Sequence, residues 1–244
     1  MFKKNKKIKV KAVTNDAAAF KYSRPVLAEK LFPEWYKTLP KYEEETLFGL
    51  EDDEINMRGC AGFIGMQKIG FVLPMWSDIA INVLSDGGYS YRYADGKSHA
   101  EHHDLKQINN FWSHSDVQHL KLVSPWVFSC DEPVDFLMQG MPYHNSTPLD
   151  YVGLQGLFNP YYTKQGNLQL LLKRNLEKDS SYFIKANTPM AQFLPLFQQE
   201  IELDVLYDPA LFKQETDSAA KNTFVFSGLK KMKKCPFSLL RGNA

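Results

Sequence analysis

Residues 71–93, "FVLPMWSDIAINVLSDGGYSYRY", hold two alternating segments joined by a turn signal. In the first segment every second residue is apolar, at Ile79, Ile81 and Val83, whereas Asp78 falls on the opposite side. In the second segment, tyrosine occupies every second position of "YSYRY". Alternation with a period of two is typical of a half-buried strand, and the Asp-Gly-Gly between the segments favours a tight turn. The stretch therefore predicts a β-hairpin.

Most of the chain that follows has the same strand character. Seven further stretches predict strands: VQHLKLVSPWVFS (117–129), VDFLMQGMPY (134–143), YVGLQGLF (151–158), LQLLLKR (168–174), YFIKA (182–186), MAQFLPLF (190–197) and IELDVLY (201–207). Many short strands at this spacing are typical of a sandwich or a jelly roll. We therefore expect a mainly β fold, an antiparallel β-sandwich or jelly roll, whose domain spans residues 23–207.

Other elements are expected before and after these strands. "KIKVKAV" (7–13) alternates lysine with apolar residues and predicts an edge strand, within a basic N-terminal extension at 1–22. Pro25 suits the first turn of a helix begun at Ser23 or Arg24, and later prolines keep the N-terminal helices short.

Two more helices have clear ends. "RGCAGFIGMQKIG" (58–70) predicts a short helix that ends at Gly70. Asp208 followed by proline predicts the start of a C-terminal helix that runs to about Ala220, within a C-terminal segment, 208–244, that ends in a basic tail.

Composition limits the class of protein. The chain has 244 residues, of which 44% are hydrophobic and 14% aromatic, so it can bury a sizeable core. Lysines crowd both ends, but the net charge is only +1, so a nucleic-acid partner at the basic termini is not favoured. Three distant cysteines do not form a disulfide framework, and no apolar stretch has the length of a membrane span. We expect a soluble chain made in a cytoplasm, with no membrane partner.

The stretch "KSHAEHHDLKQINNFWSHSDVQHL" (97–120) holds five of the six histidines, which raises the question of a metal site. His99 and Glu101 match the H-x-E half of the zinc deaminase signature, but its P-C-x-x-C half is missing. His99 and His103 are four residues apart, yet Glu101 is not where the H-E-x-x-H protease motif requires it. Neither zinc chemistry is supported.

A third metal chemistry is only partly matched. His114 and Asp116 form an H-x-D pair, and with His144 they would make the two-histidine, one-carboxylate set that holds Fe(II) in oxygenases dependent on 2-oxoglutarate. His144 is close in sequence for such a ligand, and Arg174 lies too far along the chain for the usual 2-oxoglutarate contact. The chain also lacks a G-x-S-x-G nucleophile motif and a Walker motif.

Five stretches between about residues 20 and 205 form an ordered pattern: RPVLAEKLFPEWYKTLP, RGCAGFIGMQKIGFVLPMWSDIAI, HHDLKQ, VSPWVFS and IKANTPMAQFLPL. Together they resemble a family of tailed-bacteriophage proteins, marine phages included, with bacterial relatives and no established function. The family's motif positions fall on Trp35, Cys60, Trp76, Asp78, His103, Gln107, Trp126, Pro189 and Gln192. The resemblance implies phage origin rather than an activity, and most of these residues look architectural.

Four of the motif residues have side chains that could meet at a binding site: Trp76, Asp78, His103 and Gln107. The favoured hypothesis is a non-catalytic phage-type β-sandwich, for which no cofactor is specified, and which binds a protein partner or itself in the host cytoplasm or the virion. The alternative is a small jelly-roll metalloenzyme, such as an oxygenase using Fe(II) and 2-oxoglutarate, with metal ligands His114, Asp116 and His144.

Overall fold

The fold is mainly β, as predicted. A computed structural model describes residues 7–39, 57–85, 88–102, 117–144, 151–175, 177–197 and 199–229. The strands in chain order are β1 Ile8–Thr14, β2 Val26–Leu27, β3 Phe71–Pro74, β4 Ile79–Val83, β5 Tyr89–Tyr93, β6 Ala100–His102, β7 Val117–Leu122, β8 Trp126–Cys130, β9 Phe136–Gly140, β10 Tyr151–Gly153, β11 Gly156–Phe158, β12 Leu168–Lys173, β13 Ser180–Ile184, β14 Pro189–Pro195 and β15 Ile201–Tyr207.

The described strands form four sheets, with the strand orders β15-β1-β8, β10-β12-β7-β6, β11-β9-β14-β3-β2 and β13-β4-β5. All of the described pairs are antiparallel except β1 with β15, which is parallel. The predicted hairpin is confirmed, since Ile79 pairs with Tyr93 and Val83 pairs with Tyr89.

Buried phenylalanines from two of the sheets contact one another in the core. Phe71 of β3 stacks on Phe193 of β14 with ring centroids 4.6 Å apart. Phe128 of β8, in the three-stranded β15-β1-β8 sheet, contacts both rings and Phe158 of β11, and none of these side chains is more than 5% exposed. Large aromatic rings buried between two sheets are the main source of stability of a sandwich.

The prediction that the lysine-rich strand lies at an edge is wrong. β1 is the central strand of its sheet, between β8 and β15. Its lysines tolerate this position because they point to the face opposite the core and lie beside acidic residues of β15: Lys9 pairs in register with Glu202 and Lys11 with Asp204.

The helices of the described chain are short, apart from the last. They are α1 Ala17–Tyr22, α2 Glu34–Thr38, α3 Ala61–Lys68 and α4 Pro209–Leu229, with single 3-10 turns at Ala28–Lys30, Met57–Gly59 and Pro142–His144. Asp208 caps α4 as predicted, accepting a 2.9 Å hydrogen bond from the N–H of Leu211, but the helix runs well past Ala220. No helix in the described ranges is long and apolar enough to cross a membrane.

The start of the chain differs from the prediction in two places. α1 was not predicted; Asp16 caps it by accepting hydrogen bonds from the N–H groups of Ala18 and Ala19. The helix expected from Pro25 is absent from the described residues 23–27, because Val26 pairs with β3 as part of β2. Pairing in the sheet overrides the local helix signal of the proline.

Candidate functional site

Two of the four predicted binding residues, Trp76 and Asp78, lie between β3 and β4. Trp76 is 5% exposed and packs in the hydrophobic core. Asp78 Oδ1 accepts a 2.7 Å hydrogen bond from the N–H of Ala186, which ties the hairpin to the segment before β14. Both side chains therefore stabilise the fold. His103 and Gln107 lie outside the described residues, so a binding role for the four residues stays a prediction.

Of the three alternative iron ligands, only His144 falls within the described chain; His114 and Asp116 lie outside it. His144 is half-buried, and its Nε2 lies 3.2 Å from Gln67 Oε1. Burial, with a smaller effect of the Lys37 charge, lowers the pKa of His144 to about 4, so the imidazole is neutral near pH 7. Among the residues that the structure describes, no three His, Cys, Asp or Glu side chains could hold a metal ion.

An aromatic cluster lies beside His144 and connects α2 and α3 to the 3-10 turn at 142–144. The ring of Phe63 lies 5.5 Å from that of Trp35 and 5.2 Å from that of Tyr143, centroid to centroid. Trp35 Nε1 donates a 2.7 Å hydrogen bond to the carbonyl oxygen of Tyr143. Trp35 is one of the motif positions, most of which were expected to be architectural, and these contacts give it a structural role.

A groove of about 630 Å³ opens where α3, β2 and the start of β15 meet. It is lined by Lys7, Leu27, Glu29, Lys68, Ile69, Gly70, Pro195, Phe197, Gln199, Glu200 and Ile201. The described lining combines apolar residues with charged residues of both signs. A concave surface that combines apolar and charged groups can bind a ligand with complementary groups.

Glycine allows the chain to form one wall of this groove. Gly70 has a φ of 81°, and a Cβ atom there would lie 1.9 Å from the carbonyl oxygen of Phe193. Only glycine fits this close approach of the turn after α3 to β14. The turn holds Ile69 beside the groove with 46% of its surface exposed, so that an apolar contact is open to a ligand.

The charges of the groove are organised around Lys7. Lys7 Nζ lies 2.8 Å from Glu200 Oε2. Through this hydrogen bond and its charge, Glu200 raises the pKa of Lys7, with smaller contributions from Glu202 and Glu29. The same contact lowers the pKa of Glu200. Both groups are therefore charged at neutral pH, and they form an exposed ion pair at the rim of the groove.

Sequence reasoning did not predict this groove, because its residues come from separate parts of the chain. One signal was nonetheless present: lysines at alternate positions of 7–11 match acidic residues at alternate positions of 200–204. Opposite charges on strand segments of equal spacing indicate cross-strand pairs. Reading these patterns together predicts that the two segments are neighbours, which places Lys7 next to Glu200.

The comparisons with known proteins leave the candidate site to be judged by its own geometry. No family model, no curated protein and no solved structure matches the chain. The resemblance to tailed-phage proteins therefore stays a prediction.

Proposed function

We propose that the protein is a non-catalytic β-sandwich of phage type whose groove binds an extended segment of a protein partner. The observation that carries the proposal is the composition of the groove: apolar residues, with exposed Ile69 among them, line it together with charged residues of both signs. Apolar contacts supply affinity in such a site, while charges of both signs set the register and direction of a bound chain.

The position of the groove supports an extended ligand rather than a compact one. It lies at the end of β2 and at the start of β15, two strands that are at the edges of their sheets in the described structure. Backbone groups at a sheet edge can pair with an added chain, and side-chain pockets next to the edge then give specificity. The proposal places this partner in the host cytoplasm or in the virion.

Site-specific photocrosslinking tests the proposal. p-Benzoylphenylalanine is placed at Ile69 and, as a matched control, at Phe183, an apolar residue on β13 that is 61% exposed and does not line the groove. We expect a discrete protein adduct from position 69 in a lysate of the host and none from position 183. Mass spectrometry of the adduct identifies the crosslinked peptide.

Binding of that peptide, made synthetically, is then measured with the purified full chain. Ile69→Asp should weaken binding at least about tenfold, because a charge replaces an apolar contact, whereas Phe183→Asp should have no effect. Equal crosslinking from both positions, or binding that Ile69→Asp leaves unchanged, would contradict the proposal. Mass spectrometry of purified phage particles decides between a virion component and a partner-binding role in the host.

A further inference from the structure

β15 has an open edge in the described part of the chain, where it pairs with β1 alone. Ile8 donates a 2.8 Å hydrogen bond to the carbonyl oxygen of Glu200, and Asp208 donates one of 3.1 Å to that of Thr14. Successive residues of a strand direct their backbone groups to opposite sides, so the even-numbered residues of β15 bond to β1. The residues whose N–H and C=O groups point away from β1 are Ile201, Leu203 and Val205.

The core-facing side of this edge is incompletely covered. The side chains of Ile201, Leu203 and Val205 pack against the core but are only partly buried, whereas Ile8 and Val10 on the neighbouring β1 are 3% and 0% exposed. A further strand beside β15 would remove the remaining apolar surface from water if its inward residues were apolar.

The opposite side of the edge carries a row of acidic residues. Glu200 and Glu202 each lie near a lysine of β1, at 2.8 Å from Lys7 and 3.6 Å from Lys9, and Asp204 continues the row. A strand added on the open side would place its outward residues directly beside the same acids. Basic residues are favoured there, and two β15 edges brought together would set acidic rows against each other.

We propose that the open edge of β15 takes a partner segment in which basic and apolar residues alternate. This inference rests on the proposed function and names the chemistry of its partner. The binding length is about six residues, 200–205, because α1 packs near the other end of the strand, where the rings of Phe20 and Tyr207 are 6.0 Å apart. The groove continues the site at the Glu200 end.

The pattern that such a partner needs is already present in β1, which satisfies the same acids from the other side. The probe is therefore the synthetic peptide KIKVKA, and the matched control is EIEVEA, which keeps the apolar residues and reverses the charges. Binding to the purified full chain is followed by 15N NMR titration. We expect KIKVKA to shift the amide resonances of Ile201, Leu203 and Val205. The affinity for EIEVEA should be at least about tenfold lower than that for KIKVKA.

Two variants of Leu203 isolate the backbone contact. Leu203→Pro removes an N–H that points away from β1 and keeps the ladder to β1, as proline does on edge strands. Leu203→Ala removes the same side-chain packing but keeps the N–H. KIKVKA should bind the wild type and Leu203→Ala and lose at least about tenfold in affinity with Leu203→Pro. If Leu203→Pro does not fold, Glu202→Gln with Asp204→Asn should give a comparable loss.

The outcomes separate this inference from the proposed function. Equal binding of KIKVKA and EIEVEA, or no binding, overturns the inference. Dimerisation is followed by sedimentation. If the wild type and Leu203→Ala dimerise but Leu203→Pro does not, a second copy of the chain fills the edge, and this inference is overturned as well. If the Ile69 adduct persists while KIKVKA fails to bind, the proposed function stands alone. If the Ile69 adduct is absent and KIKVKA does not bind, both the inference and the proposed function are overturned.

Discussion

Replacing Gln192 by methionine should destabilise the protein by about 2 to 4 kcal/mol. Gln192 lies on β14 and is 1% exposed, and its Nε2 donates hydrogen bonds of 2.8 Å to the carbonyl oxygens of Met66 and Ile69, at the end of α3. Carbonyls at a helix C-terminus lack partners within the helix. Methionine keeps the length and volume of glutamine but removes both bonds, each worth about 1 kcal/mol, and leaves the carbonyls less well paired.

The matched control is Gln139→Met on the neighbouring strand β9. Gln139 is the cross-strand partner of Gln192, is only half-buried, and donates to a weak acceptor, the sulfur of Met66, at 3.7 Å. Its replacement should cost less than about 1 kcal/mol. Urea denaturation followed by tryptophan fluorescence measures both free energies of unfolding. Equal losses of unfolding free energy for the two variants would show that the hydrogen bonds from Gln192 to the end of α3 do not stabilise the fold.

Three other predictions test separate contacts. Gly70→Ala should lower the free energy of unfolding by more than about 3 kcal/mol in urea denaturation, because its Cβ would lie 1.9 Å from a backbone oxygen. Gly65→Ala, in open space within α3, should raise the free energy of unfolding by about 0.5 to 1 kcal/mol. Similar values for the two variants would contradict the steric argument. Lys164 Nζ and Glu215 Oε2 lie 2.6 Å apart, and the two side chains are 11% and 15% exposed. Changing either residue to methionine should lower the free energy of unfolding by about 2 to 4 kcal/mol, and the double variant should lose less than the sum of the two single losses. Additive losses would show that the two residues are not coupled. The pKa of His144 is lowered to about 4 in the folded chain, so as the pH falls the unfolded chain takes up a proton before the folded chain does. The free energy of unfolding should therefore fall by about 1 to 2 kcal/mol between pH 6.5 and 4, after allowance for partial exposure. A His144→Asn variant with the same dependence of stability on pH would disprove this.

Local sequence patterns predicted those parts of the fold that depend on neighbouring residues. The alternation at 79–83 and the tyrosines at 89–93 identified the hairpin, and Gly70 marked the end of α3. The alternation of β15 was equally clear. In each case burial on one side of the strand or the special conformation of glycine is visible in the residues themselves.

Long-range pairing was not predicted, and it accounts for the main errors. The alternation of lysines with apolar residues identified β1 as a strand, but it does not show which strand covers each edge. The groove has the same origin, since residues as distant as Lys7 and Glu200 meet there. Gln192 was recognised as a motif residue, yet its polar bonds to α3 depend on a helix more than a hundred residues earlier. The histidine-rich stretch was assessed by motif alone, and most of it lies outside the described residues.

The pairing of β1 with β15 also has a consequence for how the chain folds as it is made. Ile8 and Ile201 are partners although they are about 190 residues apart. Contacts between distant residues slow folding, because the loop between them must close first. At roughly 5 to 20 residues per second, a ribosome needs about 10 to 40 s to make the intervening chain. Until then one side of β1 has no partner strand. The β15-β1-β8 sheet is therefore among the last parts of the molecule to be completed during synthesis.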